Sequence, residues 1–168
     1  MAEPKYIDSG ATFDSTRTYR YSLYRVWDGS KRAVAFIMLN PSTADEFVLD
    51  PTVRRCLGYA MDKGYGSLWV LNLYALRSTD PKQLKTHKDP VGPENDNSIL
   101  RIVEFFKTEM DLVVAWGNYG RHYGRESQVL KMLHSYDLYC LGTTKMGSPV
   151  HPLYQPRDVD FKIYQRKA

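Results

Sequence analysis

The stretch AVAFIMLNPSTAD, residues 33–45, decides how this chain folds. Its first seven residues are apolar without alternation, which is typical of a strand that is buried on both faces of a sheet. The strand must end at Asn40, because Pro41 has no backbone N–H and cannot continue a ladder of hydrogen bonds. Residues 33–39 are therefore predicted to form a central strand whose carboxyl end opens into a polar loop.

Further strands and helices alternate on both sides of this stretch. In segment 18–27, Tyr19, Tyr21 and Leu23 alternate with polar residues, and Asp-Gly-Ser follows at 28–30, so this segment is predicted to form a hairpin with the central strand. Later helices are predicted at about 50–63, 95–107 and 125–135, and strands at 67–73, 111–116 and 138–141. The pattern predicts an α/β fold, a three-layer α/β/α sandwich with a mainly parallel central sheet of about four strands and an N-terminal antiparallel hairpin strand.

Length and composition predict one domain over residues 1–168, because 168 residues with 43% hydrophobic content can build one core but are few for two. No apolar run approaches the roughly 18 to 20 residues of a membrane-spanning helix, and the start is polar, so we expect a cytoplasmic protein without a membrane partner. Cys56 and Cys140 lack metal-ligand spacing and are expected to be reduced, packed thiols. The basic end, residues 161–168, is expected to be frayed.

Fingerprints of nucleotide and metal enzymes are absent from the sequence. Residues 117–124 match neither the Walker pattern nor the spaced-glycine dinucleotide pattern. Neither a Gly-x-Ser-x-Gly elbow nor a His-Glu-x-x-His metal site occurs. We therefore expect no cofactor and no metal, while the net charge of +4 is compatible with a polyanionic partner.

Polar residues follow the predicted strands at their carboxyl ends, where the ligand crevice of a parallel α/β sheet lies. These residues are Asn40, Asn72 and the loop 117–120, and the segment 147–154 can bring a fourth loop to the same rim. The loops are therefore expected to converge on one site.

Four short motifs, MLNP at 38–41, LNL at 71–73, AWGNY at 115–119 and HPLY at 151–154, resemble in chemistry and order those of the uracil-DNA glycosylase superfamily. The resemblance covers roughly residues 34–154 and implies DNA as the partner, with a flipped base in the crevice. The chain also looks like a bacterial and phage family of unknown function, typified by LNPSTAD and HPLY segments.

The resemblance implies a role for each loop residue. Asn40 would orient a water molecule, although a carboxamide is no strong base near neutral pH; the alternative is a strand-end cap. His151 would donate a hydrogen bond to the departing base, or it is only polar surface. Asn72 would read the edge of the base, or it satisfies backbone groups at a strand end.

The sequence also departs from the superfamily pattern. Many uracil enzymes have a bulky aromatic residue beside the first-loop proline, whereas this chain has Ser42, which leaves room for a 5-substituted pyrimidine. Ser42, Asn72 and Tyr154 are the expected base-binding residues. The carboxylate that Asn40 lacks is expected from Asp45 or Asp50, although Asp50 also suits a helix cap.

Five arginines lie on or near the expected loops and are candidates for contacts with the nucleic-acid backbone, with solvated surface charge as the alternative. They are Arg54, Arg55, Arg77, Arg121 and Arg125.

These observations predict a DNA-base glycosylase-like hydrolase that acts on a flipped pyrimidine, modified or damaged, as in base excision and DNA repair. Its partner would be single- or double-stranded DNA, and a monomer is the simplest expectation. The alternative is a non-catalytic module that binds nucleic acid, a nucleoside or a nucleotide in phage defence or modified-DNA handling. A protein-interaction domain would require the four motifs to be coincidental.

Overall fold

The computed structural model describes residues 2–165, which form one mixed sheet with helices on both faces. The strands are β1 (Asp8–Phe13), β2 (Arg20–Val26), β3 (Ala33–Met38), β4 (Ser67–Asn72), β5 (Met110–Val114), β6 (Leu138–Cys140) and β7 (Lys162–Ile163). The helices are α1 (Pro51–Asp62), α2 (Gln83–Thr86), α3 (Asn95–Phe106) and α4 (Arg125–Met132), with 3-10 turns at Lys107–Glu109, Asn118–Gly124 and Pro152–Tyr154.

The sheet has seven strands in the order β1-β2-β4-β3-β5-β6-β7. The pairs β3–β4, β3–β5 and β5–β6 are parallel, whereas β1–β2, β2–β4 and β6–β7 are antiparallel. The α/β class is therefore confirmed, but the prediction of a mainly parallel sheet of about four strands was wrong. The antiparallel edge strands account for the difference.

Strand β3 is buried along its whole length and divides the core in two. Ala33, Ala35 and Ile37 belong to the cluster that includes residues of α3 and α4, while Val34 and Phe36 belong to the cluster that includes residues of α1. This alternation follows from the strand period of two, which sends successive side chains to opposite faces of the sheet.

The predicted hairpin between segment 18–27 and β3 was wrong. Strand β2 instead forms its hairpin with β1, with Asp8 opposite Val26, and β4 lies between β2 and β3. The backbone N–H groups of Trp27 and Asp28 both donate to the carbonyl of Gly66, which joins the end of β2 to the start of β4. A Cβ on Gly66 would lie 1.8 Å from the carbonyl oxygen of Asp28, so the close approach requires glycine.

Helix α1 begins as the sequence predicts. Asp50 is the N-cap, its carboxylate accepts a hydrogen bond from the Val53 backbone N–H at 2.8 Å, and Pro51 occupies the first helical position. None of the helices found within residues 2–165 is long and apolar enough to span a membrane. Cys56 and Cys140 are both buried free thiols.

The chain's end is ordered over the described residues, so the expectation of a frayed end at 161–165 was wrong; residues 166–168 lie outside the described part. The Phe161 ring lies 5.9 Å from the Phe36 ring and 6.2 Å from the Tyr65 ring, centroid to centroid. Strand β7 pairs with β6, and Tyr164 is buried. Aromatic burial, rather than the flanking basic residues, decides the structure here.

We expect Phe161→Ala to lower the free energy of unfolding by about 2 kcal/mol, because the partly buried ring loses its contacts in the aromatic cluster. Ile163→Ala is the matched control: this side chain is 61% exposed, so a change within about 0.5 kcal/mol is expected. Urea denaturation measures both. Equal effects of the two substitutions would contradict a structural role for Phe161.

Candidate functional site: a cavity at the strand ends

A cavity of about 450 Å³ opens at the carboxyl ends of β3 and β4, and we call it the strand-end cavity. Six of the candidate side chains predicted from the sequence line it: Asn40, Ser42, Asp50, Asn72, His151 and Tyr154. They come from segments far apart in the chain, so the fold brings them together. The expected convergence of loops is therefore present in the structure.

Asn40 closes one wall of the strand-end cavity by joining two loops. Its Nδ2 donates to the carbonyl oxygens of Pro41 at 3.1 Å, Leu76 at 3.3 Å and Ser78 at 2.9 Å. These contacts fix which end of the amide is nitrogen. The Asn40 Oδ1 thus remains for a ligand or a water molecule. This oxygen accepts hydrogen bonds but does not act as a base.

Asn72 ends β4 and is 1% exposed, yet its Nδ2 has no hydrogen-bond partner among the described residues. The backbone role considered for it belongs to Asn95, whose Nδ2 donates at 3.0 Å to the carbonyl oxygens of both Asn72 and Leu73. A buried amide without a partner costs about 1 to 3 kcal/mol. The Asn72 amide is therefore a polar group in the cavity wall that a ligand can satisfy.

His151 precedes the 3-10 turn at Pro152–Tyr154, and its Nδ1 accepts a hydrogen bond from the Leu153 backbone N–H at 3.3 Å. In the neutral ring the proton is therefore on Nε2, which is the donor tautomer that a developing anion requires. Burial lowers the pKa of the imidazole below its ordinary value, while the charge of Asp50 acts in the opposite direction. The ring is thus favoured in its neutral form near neutral pH.

Asp50 is the carboxylate in the wall of the strand-end cavity, and Asp45 is not part of that wall. The carboxylate of Asp45 accepts the backbone N–H groups of Phe47 and Val48, each at 2.8 Å, and so stabilises its own loop. These hydrogen bonds lower its pKa. Of the two candidates for the carboxylate that Asn40 lacks, the structure therefore brings only Asp50 to the cavity.

The loop after β5 is shaped by two glycines. Gly117 has a φ of 69°, in the left-handed region, and its N–H donates to the Pro149 carbonyl at 2.8 Å. A Cβ on Gly120 would lie 2.2 Å from the Trp116 ring. The loop thereby places Trp116 in the cavity wall and ties it to the segment that carries His151.

Two tyrosines among the lining residues are open to solvent. Tyr119 is 42% exposed and Tyr154 is 80% exposed, and the Tyr154 ring lies 5.9 Å from the His151 ring. Exposed aromatic faces are platforms on which nucleobases stack. The rim therefore suits an aromatic ligand.

The predicted phosphate-binding arginines divide into two groups. Arg125 is 2% exposed. Its Nε donates to the Leu73 carbonyl at 2.7 Å, and its Nη2 lies 2.5 Å from the Asp96 carboxylate. Arg125 therefore forms a structural ion pair and is not a phosphate ligand. Arg77 donates to the Arg17 carbonyl beside the Phe13 ring, and Arg121 contacts Ser148 and Glu126. These three are committed to contacts within the protein.

Arg54 and Arg55 lie instead in a second groove of about 400 Å³, which we call the arginine groove. Arg157, which the sequence reasoning missed, also lines it, and Leu153 lines both this groove and the strand-end cavity. Arg54 contacts Glu3, and Arg55 contacts the Gln155 carbonyl. Arg157 is paired with Asp62 at 2.7 Å. The arginine groove therefore adjoins the cavity and carries three arginines, two of which are paired with carboxylates.

Arg20, in β2, is a cavity-lining residue that sequence reasoning also missed. It lies between Tyr19 and Tyr21, at a polar position of the predicted alternation. Side chains on both faces of β2 are buried in the structure, and Arg20 is 1% exposed. The signal in the sequence is a charged residue between two aromatic ones in a strand that enters the core.

The fold and the cavity define an α/β protein with a cavity lined by polar residues at the strand ends. Residues 20–153 match the model of a family described as a protein of unknown function (DUF1643), and the chain belongs to this family. The matched region begins at Arg20 and includes every cavity-lining residue named above except Tyr154. A search of the curated proteins gives no match.

We expect Asp50→Asn to lower the pKa of His151 further, because it removes the nearby negative charge that opposes the effect of burial. Asparagine is also a good N-cap, so α1 is retained. The measurement is NMR titration of the His151 ring in both proteins, with a circular dichroism spectrum to verify the fold. An unchanged or higher pKa would contradict the placement of Asp50 beside His151.

Proposed function

We propose that the chain is a DNA-base glycosylase-like hydrolase that releases a flipped pyrimidine, modified or damaged. The observation that carries the proposal is the convergence of Asn40, Asn72 and His151 on one cavity, with His151 held as an Nε2–H donor. The order of the four motifs, which resembles that of the uracil-DNA glycosylase superfamily, supports the same function.

The proposed reaction breaks the bond between the sugar C1′ and the base nitrogen. The bonding electrons leave with the base, a water oxygen bonds to C1′, and the water gives up a proton. His151 Nε2–H donates to the base oxygen on which negative charge develops. Asn40 Oδ1 accepts a hydrogen bond from the water, and Asp50 receives the proton once the sugar has become cationic.

The base would be selected by hydrogen bonding and by space. Asn72 Nδ2 offers a donor whose burial makes an unmatched ligand costly, because the amide would then stay unpaired. Ser42 lines the cavity where a bulky aromatic would exclude a 5-substituent. Both features favour a pyrimidine with an acceptor on its edge and a substituent at position 5.

DNA would be held outside the cavity. Arg54, Arg55 and Arg157 line the arginine groove, and phosphates of the strand that carries the flipped nucleotide would replace Glu3 and Asp62 as partners of Arg54 and Arg157. Tyr119 and Tyr154 at the rim would stack on bases or on the extruded ring.

A second candidate function keeps the ligand and omits the reaction: a module that binds nucleic acid, a nucleoside or a nucleotide. The observation that favours it is the state of Asn40, whose Nδ2 already serves three backbone carbonyls in the wall. A residue with this structural duty would be needed even in a protein that only binds.

We expect His151→Ala to reduce base release by about 100- to 1,000-fold, because it removes the donor to the departing base. The assay measures free base from single- and double-stranded oligonucleotides that carry uracil, 5-hydroxymethyluracil or another 5-modified pyrimidine. The control is His134→Ala, which removes an exposed histidine at the end of α4. No release from any substrate by the wild type, with DNA binding retained, would favour the binding module.

We expect Arg54→Gln to reduce the salt dependence of DNA binding, lowering the slope of log affinity against log salt by about 1, because one phosphate contact is lost. Arg32→Gln is the control, since Arg32 immediately precedes β3 at the opposite end of the sheet and contacts Asp111. Fluorescence anisotropy over a salt series gives both slopes. Equal slopes for the two variants would contradict DNA binding at the arginine groove.

A further inference from the structure

Arg20 is a buried guanidinium in the wall of the strand-end cavity that the protein itself satisfies only in part. Its Nη1 donates to the Ala44 carbonyl at 2.8 Å, and its Nε is buried without a hydrogen-bond partner among residues 2–165. No carboxylate of the described residues lies within 4.0 Å of the Arg20 guanidinium, the limit for an ion pair. Burial lowers the pKa of Arg20 to about 10, so the group remains charged near neutral pH.

The Nε of Arg55 and that of Arg77 are also buried without a partner, but neither residue lines the strand-end cavity. The two other arginines that are buried as deeply as Arg20 have partners. Arg125 has an ion pair with Asp96, and Arg25 donates to the carbonyl oxygens of Tyr24 and Asp45, both at 2.8 Å. Of the described arginines, Arg20 is the one that lines the strand-end cavity. Since a buried cation without a partner costs several kcal/mol, its position points to a ligand.

The nearest carboxylate does not occupy the donors of Arg20. Charges of both signs act on this guanidinium, those of Asp50 and Asp45 being negative and those of Arg77 and Arg25 positive. The carboxylate oxygens of Asp50 accept the backbone N–H groups of Val53 at 2.8 Å and Ala44 at 3.4 Å, rather than pairing with Arg20. The Nε–H of Arg20 is therefore left for a ligand with an anionic oxygen.

We propose that Arg20 is the anion-recognising residue of the strand-end cavity, and that the ligand placed there carries an anionic oxygen group, a carboxylate or a phosphate, beside the ring that Asn72 binds. The identity of the ring as a pyrimidine rests on the proposed function. The anionic group of the ligand is inferred from Arg20 alone.

Two sources supply this chemistry. One is an acidic substituent on the base, such as a 5-carboxyl group, for which Ser42 leaves space in the cavity wall. The other is the phosphate of a nucleotide. A planar guanidinium suits either group, because it offers parallel donors to two oxygens.

The test compares matched probes by isothermal titration calorimetry: 5-carboxyuracil against uracil, and uridine 5′-monophosphate against uridine. We expect at least one anionic probe to bind wild type about 10-fold or more tightly than its neutral partner, as a hydrogen bond to a charged group implies. The pair that shows the preference identifies the source. Arg20→Gln should abolish the preference while the neutral probe binds as before, and Arg32→Gln, at the opposite end of the sheet, should retain it.

Equal binding of both members of each pair, or a preference that survives Arg20→Gln, would overturn the inference. If Arg20→Gln does not fold, the Arg20 Nε–H resonance of the wild type replaces it: a shift with the anionic probe and not with its neutral partner supports the inference, and no shift overturns it. Base release without an anion preference would reject only this inference. An anion preference without base release would reject only the glycosylase.

Discussion

The carboxamide of Asn40 is the interaction on which the strand-end cavity depends. Its two amide hydrogens are shared among the carbonyl oxygens of Pro41, Leu76 and Ser78, and they join the loop that leaves β3 to the segment that follows β4. Backbone carbonyls left unpaired beside a partly buried cavity would each cost free energy. The two loops are therefore held at a fixed spacing before any ligand arrives.

Once this wall is fixed, buried polar groups can be kept for a ligand. Asn95 satisfies the backbone at the end of β4, which leaves the Asn72 amide unpaired, and the turn at Leu153 sets the tautomer of His151. In a region of low dielectric, each such group interacts strongly with a matched ligand and is costly without one. A ligand that matches these groups is therefore favoured over one that leaves them unpaired.

The sequence predicts the elements whose signal is local. The apolar run of β3, the Asp50 cap of α1 and the strand-end positions of Asn40 and Asn72 need only neighbouring residues to be recognised. Strand β7 was missed because it has two residues and depends on pairing with β6, and the partner of β2 depends on Gly66. Such long-range pairings leave little trace in a single sequence.

The site residues follow the same division. The strand-end rule identified Asn40, Asn72 and the loop that contains Gly117 and Tyr119, all of which line the cavity. The choice between Asp45 and Asp50, by contrast, depends on which backbone N–H groups each carboxylate binds in the folded loop. Arg20 was missed because it is one of several polar residues that alternate with apolar ones in β2, and alternation does not show which of them are buried. The structure buries Arg20, Ser22 and Arg25 of this strand.

The arrangement of charge in the cavity bears on the choice between a hydrolase and a passive binding module. A direct ion pair between Arg20 and Asp50 would reduce the cost of burying both charges, yet the two groups line the cavity without forming one. Breaking a glycosidic bond creates a positive sugar and a negative base, and separate buried charges of both signs can stabilise such a pair, with His151 as an additional donor. A module that only binds a neutral base gains nothing from this separation of charge. The cost of burying two separate charges therefore favours a ligand that is charged or becomes charged.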